Sequence, residues 1–199
     1  MSLSENVKFR EIKREIRIVG IDDCPFFSKS PGMVRVIGVV LRGGLWIDGA
    51  MQTRVMIDGF DATEKIAEMI ASSPHYHQLR IIMLNGVTVA GFNIIDIRKL
   101  FRLTHLPVLA ITREKVKLDE FKNALMLLEG WSERLKIIQN LGDILKIKIR
   151  QSELNLQTFG ISRENAEKVV RISCTRGNIP EPLRIAHIIA SALTCKENQ

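Results

Sequence analysis

Aromatic residues are scarce in this chain, at 6% of 199 positions, with a single tyrosine and two tryptophans. That scarcity argues against a platform on which successive bases stack, the usual device of proteins that coat single strands. Cysteine is rarer still: Cys24, Cys174 and Cys195 are odd in number and lack metal-ligand spacing. They read as reduced thiols in a cytoplasm and exclude a disulfide framework. No apolar run approaches the roughly 20 residues that a bilayer-spanning helix requires. No charged-then-apolar leader opens the chain, so neither secretion nor membrane insertion is expected. There is also no P-loop, no nucleophile elbow, no Ser/His/Asp arrangement and no internal repeat.

What is present suits a globular protein: 46% hydrophobic and 26% charged residues. A chain of this length can bury a full core unaided. One domain over 1–199 is expected, with a polar first stretch, 1–15, that frays. The net charge of +7 favours polyanionic partners such as nucleic acid. The excess is spread over Lys8 to Arg17, Arg98 to Arg102 and Lys146 to Arg150, which equally suits a solvated basic face.

Hydrophobic patterning predicts strands at 16–22, 34–41 and 45–57, the last interrupted near Asp48-Gly49. Short glycine turns between them make an antiparallel meander. Asp61-Ala62-Thr63-Glu64 has the form of a capping box and opens a helix. Residues 79–85 are apolar enough for a sheet-central strand. A glycine-bearing loop, Gly86 to Gly91, leads to a helix at 93–103, a strand at 107–111 and helices over 117–140. Ile144 to Arg150 alternates like a half-exposed strand. Ser162 opens a further helix, and Pro180-Glu181-Pro182 starts the last one. This pattern is an α/β mixed sheet with helices on both faces.

Two of these strands end in polar tips: Ile16 to Ile21 run into Asp22-Asp23, and Leu79 to Leu84 run into Asn85-Gly86. Such strand ends are where α/β proteins usually place their chemistry. Side by side and parallel, the tips would stand about 4.8 Å apart. Alternation turns Asp22 and Asp23 to opposite faces, so one can line a site while the other caps a turn. Asp58 and Asp61 read locally as a turn residue and an N-cap. With Asp22 they could equally supply the separated oxygen ligands that a hard cation needs. Residues 86–91 lack the lysine of a P-loop, but their glycines would let backbone N–H groups face an anion. Glu181, Arg184 and His187 form one polar stripe on an otherwise apolar helix, facing either a site or solvent. His75 and His77 read as surface residues.

Several segments occur together and in order: Gly20-Ile21-Asp22-Asp23-x-Pro25-Phe26, Val39-Val40-x-Arg42-Gly43, Asp58-Gly59-x-Asp61-Ala62-Thr63, Met83-Leu84-x-Gly86-x-Thr88-x-Ala90-Gly91-Phe92-Asn93-x-x-Asp96 and Ile179-Pro180-Glu181-Pro182-x-Arg184-x-Ala186-His187. Over roughly residues 8–195 the chain resembles the largely archaeal family related to endonuclease V, one branch of which is called endonuclease dU. The resemblance implies a ribonuclease H-like fold: three antiparallel strands, then parallel strands, the fourth lying beside the first. It implies a Mg²⁺-dependent endonuclease, with Mn²⁺ as a substitute, acting in DNA repair on nucleic acid that carries uracil or hypoxanthine. DNA is expected ahead of RNA.

By position in the family pattern, Asp22 resembles the first metal carboxylate. Asp61 resembles the second, with Asp58 and Glu64 as alternatives. Asn85 stands where the family has an aspartate on its fourth strand. An amide can offer its oxygen to Mg²⁺ but brings no negative charge. Three readings follow: a slow enzyme, an enzyme with a compensating carboxylate such as Asp96, or a silent nucleic-acid-binding protein. Arg42, Arg184 and His187 are the expected contacts to nucleic acid.

Overall fold

The run Arg17–Asp23 forms β1, and its inner residues are buried on both faces, as a central strand requires. The computed structural model describes residues 6–26, 32–113 and 118–193. β2 (Met33–Arg42) and β3 (Trp46–Met56) complete an antiparallel meander with β1. The expected interruption at Asp48 is a bulge within one strand. Val40 pairs with Gly49 and Leu41 with Ile47, so Asp48 has no partner across the ladder. Its carboxylate instead accepts from Arg17 Nε and Arg42 Nε, each at 2.9 Å.

α1 (Ala62–Ala71) then returns the chain to β4 (Ile81–Asn85), which lies parallel beside β1. The loop after β4 is a small hairpin of β5 (Thr88–Val89) and β6 (Asn93–Ile94). Because Asn93 and Ile94 pair there, α2 (Ile97–Thr104) begins later than the sequence suggests. Asp96 caps it by accepting from the N–H groups of Arg98 and Lys99. β7 (Val108–Thr112) adds to β4 in parallel, and α3 (Leu118–Leu125) and α4 (Trp131–Gln139) follow.

β8 (Leu145–Ile149) is the expected half-exposed strand. β9 (Ser152–Phe159) is not anticipated by the sequence reading. It inserts antiparallel between β7 and β8, giving the order β3-β2-β1-β4-β7-β9-β8. α5 (Arg163–Ser173) is capped by the Ser162 hydroxyl, and α6 (Glu181–Ala192) carries Pro182 in its first turn. The fold is thus a mixed α/β sheet with helices on both faces. Residues 6–15, expected to fray, are anchored: Val7 N–H donates to Gly160 O at 2.8 Å, and Phe9 and Ile12 pack on the core. Cys24 and Cys174 lie in the core, and burial pushes the Cys174 thiol up to about 12. Cys195 and residues 27–31 of the proline-rich turn lie outside the described residues.

Two apolar layers hold the sheet. Val19, Ile21, Ile82 and Leu84 face α1 and α2, burying Ile66, Ile70, Ile97 and Leu100. Ile18, Ile81, Met83 and Leu109 face the opposite side, with Val169, Val170 and Leu183. Each fully buried side chain of this kind contributes about 1.5–3 kcal/mol. α6 docks most closely. A Cβ on Gly20 would stand 2.2 Å from the carbonyl carbon of Pro182, so helix backbone rests directly on the strand.

Two outcomes follow. Gly20→Ala must push α6 away from β1 and is expected to destabilise the fold by about 1–3 kcal/mol, read as a lowered Tm. At Asp48, lost water alone would raise the carboxyl, but Arg17 and Arg42 hold it below the usual carboxylate range. A carboxyl depressed in the folded state stabilises above its unfolded pKa, and that contribution is lost as pH falls through the folded value. Asp48→Asn should therefore lower Tm at pH 7 by the equivalent of about 1 kcal/mol or less, the range for partly exposed, salt-screened pairs. The difference from the parent should vanish in melts below the depressed pKa.

Candidate active site at the strand tips

Parallel pairing aligns Ile21 with Leu84, so the residues that follow, Asp22 and Asn85, are neighbours at the open ends of β1 and β4. Asn85 Nδ2 donates to Asp22 Oδ1 at 3.1 Å. α6 supplies the third member: His187 Nδ1 lies 2.8 Å from Asp22 Oδ2. Asp22 is 5% exposed, whereas the His187 side chain is 65% exposed. A buried carboxylate thus orients an open imidazole. With Nδ1–H donating to Asp22, Nε2 is left as a lone pair for a metal or a proton.

Asp23 turns the other way, as alternation requires. Its Oδ2 accepts from Ala90 N–H at 2.8 Å. Burial raises its carboxyl above the usual range, the Ala90 bond opposes that, and the Asp22 charge adds to it. The loop through Phe92 does aim N–H groups at anions, but the anions are the protein's own. Asp23 takes Ala90, and Asp58 Oδ1 takes Phe92 N–H at 2.7 Å. Gly91, at φ 85°, has no room for a side chain, because a Cβ would meet Asp58 Oδ1 at 2.3 Å.

The other carboxylates from the sequence reading hold the fold. Asp61 sits at the N-cap of α1, yet its side chain makes no cap bond. Its Oδ1 accepts instead from Met56 N–H and from Asn93 Nδ2 at 2.7 Å. Asn93, fully buried, takes over the capping through Oδ1, which accepts Ala62 N–H at 3.0 Å. Glu64 pairs with Lys99 rather than closing a capping box. Asp96 is committed to the start of α2. Asp58, Asp61 and Glu64 line a broad hollow of about 700 Å³ with Glu129 and Glu133, sharing no residue with the cleft beside Asn85. Among the described residues no three acidic, histidine or cysteine side chains group as a metal cage.

The floor of that hollow is Arg134, which the sequence reading passed over. Although only 2% exposed, it donates to the carbonyl oxygens of Phe92, Glu129, Asp58 and Gly59. Its guanidinium also stacks 3.8 Å from the Phe60 ring. Burial lowers its pKa, against the neighbouring Asp58 and Glu133 charges. Four satisfied carbonyls explain why an ion is tolerated there. No helical periodicity reveals such a clamp in advance.

Beside Asn85 and His187 opens a narrow cleft of about 80 Å³, lined also by Arg113, Arg184, Ile111 and Leu183. Arg184 is steadied by Glu181 Oε2 at 2.6 Å. Glu181 itself is 3% exposed, and its Oε1 has no partner among the described residues. Arg113 went unremarked in the sequence, although it directly follows Thr112, the last residue of β7, where the same strand-tip logic would find it. The structure does not bring Arg42 to this site. It pairs with Arg17 across the ladder, at the opposite end of β1 from Asp22.

Known proteins resemble this chain along most of its length. A sequence profile described as endonuclease dU matches residues 14–194. A Methanothermobacter thermautotrophicus protein described as a UPF0215 protein is 47% identical over 196 residues, covering 98% of this chain and 96% of that protein. A crystal structure of an Archaeoglobus fulgidus protein of unknown function superposes with a TM-score of 0.80 at 38% identity, covering 90% of this chain and 98% of that one. Ciona intestinalis endonuclease V, solved with a 24mer DNA containing an inosine followed by a ribo-adenosine, gives 0.57 at 15% identity, covering 87% and 83%. That last likeness shows the shared ribonuclease H-like fold. With the profile spanning nearly its whole length and a close relative at both its ends, this chain belongs to the endonuclease dU family.

Proposed function

We propose that this protein is a divalent-metal-dependent endonuclease that cleaves phosphodiester bonds near deaminated bases, uracil or hypoxanthine, in DNA repair in the cytoplasm. The observation that carries the reading is the convergence of Asp22, Asn85 and His187 at adjoining strand tips, beside a cleft edged by two arginines. Family membership supports nuclease-like action on nucleic acid. No helix among the described residues is long and apolar enough to cross a membrane.

The donor set fits one hard cation better than two. Asp22 offers a carboxylate and Asn85 an amide oxygen once its side chain turns over, while His187 would add an imidazole nitrogen only by giving up its bond to Asp22. Water would complete the shell, as it commonly does for Mg²⁺. Bound by Asp22 and Asn85, Mg²⁺ or Mn²⁺ would supply water activation and stabilisation of the leaving oxygen in phosphodiester hydrolysis. Asp61 and Asp58 are hydrogen-bonded into the frame around Asn93 and Phe92, Glu64 pairs with Lys99, and Asp96 caps α2. Arg184 suits a phosphate oxygen, and His187 orients or ligates through its exposed nitrogen.

One specific observation favours a second reading, a nucleic-acid-binding protein with little catalysis: Asn85 donates to the same carboxylate that would hold the ion. An oligonucleotide assay separates the two. With uracil- or hypoxanthine-containing substrates and Mg²⁺ or Mn²⁺, the parent should cleave slowly and Asn85→Asp faster. Asp22→Ala should lose more than the roughly 10- to 100-fold typical of outer-shell changes around a metal. Cleavage gained only in Asn85→Asp would establish the binding reading. Undiminished cleavage by Asp22→Ala would remove the metal site.

A further inference from the structure

Buried carboxylates normally have both oxygens bonded, because an ion kept from water needs every partner it can find. Glu181, at the start of α6, departs from that rule. It is 3% exposed, and its Oε1 has no hydrogen-bond partner among the described residues. The helix N-terminus eases the burial of its charge. The bonds it does make are both to Arg184: Oε2 accepts from Nε at 3.0 Å and from Nη2 at 2.6 Å. Those two nitrogens share one edge of the planar guanidinium. The far edge, with Nη1 and the second hydrogen of Nη2, is not engaged by Glu181.

Arg184 lines the cleft of about 80 Å³ beside Asn85 and His187, whereas Glu181 is not among the lining residues. Arg184 and His187 stand at i, i+3 on α6 and share a face. β7 supplies the second cation: Ile111 pairs with Asn85, and Arg113, two residues on, also lines the cleft. Leu154, Ile179 and Leu183 complete it with apolar surface. Such low-dielectric walls strengthen the pull of both arginines on an anion. Pockets for whole small molecules hold roughly 300 Å³ or more, so this one takes a single group and not a nucleoside.

We propose that the cleft is a pocket for one phosphate group of a polynucleotide, held by Arg184 and Arg113 next to the Asp22–Asn85 tip, and that Glu181 is the positioning residue that turns Arg184 into it. This deepens the nucleic-acid reading above and rests on it, but it requires neither metal nor cleavage. Its consequence runs against simple electrostatics: Glu181 is a negative charge that strengthens the binding of a polyanion.

The test is equilibrium binding of a short labelled oligothymidylate to the full chain, without divalent ions, over a salt series, with Tm measured for every variant. Arg184→Gln and Arg113→Gln should each lower the slope of log affinity against log salt by about 0.7, the value for one single-strand phosphate contact. Glu181→Gln keeps the shape and removes a negative charge, so charge alone predicts tighter binding. Positioning predicts the reverse: binding weaker by about threefold or more, and no further loss when Glu181→Gln is added to Arg184→Gln, as for coupled neighbours. A Glu181 that only holds the fold would lower Tm and leave affinity unchanged, or would weaken binding equally in both backgrounds. Either result, or tighter binding, overturns the positioning role. Unchanged slopes in both arginine variants would overturn the pocket. So would an equal slope loss in Lys168→Gln, on α5 and paired with Glu164, the mark of a diffuse basic surface. A parent that binds no oligonucleotide overturns the pocket and the nucleic-acid reading together. The expected slopes and coupling in a parent that does not cleave support the pocket and count against the enzyme alone.

Discussion

One steric fact governs the strand tips: β1 has no side chain where α6 crosses it. Gly20 lets the backbone at Pro182 lie directly on the strand. From that crossing the helix and the strand run toward the same end. Five helical residues advance about 7.5 Å, and two strand residues about 6.6 Å. His187 and Asp22 therefore arrive at the same height, which is why they meet at 2.8 Å. A bulkier residue at position 20 would alter height and spacing together.

Carboxylates near this end are mostly structural. Asp23 ties down Ala90, Asp58 ties down Phe92, and Asp61 joins Met56 to Asn93. Together with Arg134 they stitch the β3–α1 connection to the hairpin after β4. Asp22 differs because, besides the Asp23 N–H, its partners are an amide and an imidazole, both able to turn to another ligand. The site is thus a place of exchangeable partners inside a frame of committed ones.

Much of this was legible in the chain itself. The strands that carry Asp22 and Asn85 announce themselves by buried apolar runs ending in polar residues, and their parallel pairing followed from the family pattern. The last helix and its polar stripe were equally plain. β9 was not, although Ser152 to Phe159 does alternate. It follows β8 through a two-residue turn whose first residue, Arg150, takes φ 53° where a glycine usually marks the bend. The role of Asp61 was misleading for a different reason. Position alone marks an N-cap, but Asn93, 31 residues away from Ala62, supplies the bond. Contacts made over such separations leave no local trace, and Arg134, reaching Asp58 from 76 residues away, is another such case.

The bond between Asp22 and His187 joins positions 165 residues apart. Closing so long a loop carries a large entropic penalty, and chains dominated by such contacts order late. During synthesis, Asp22 leaves the ribosome long before α6 exists to meet it. Until then the first strand carries a lone carboxylate with no imidazole beside it. A chain that lacks residue 187 therefore leaves the Asp22 carboxylate at the strand tip without its imidazole partner.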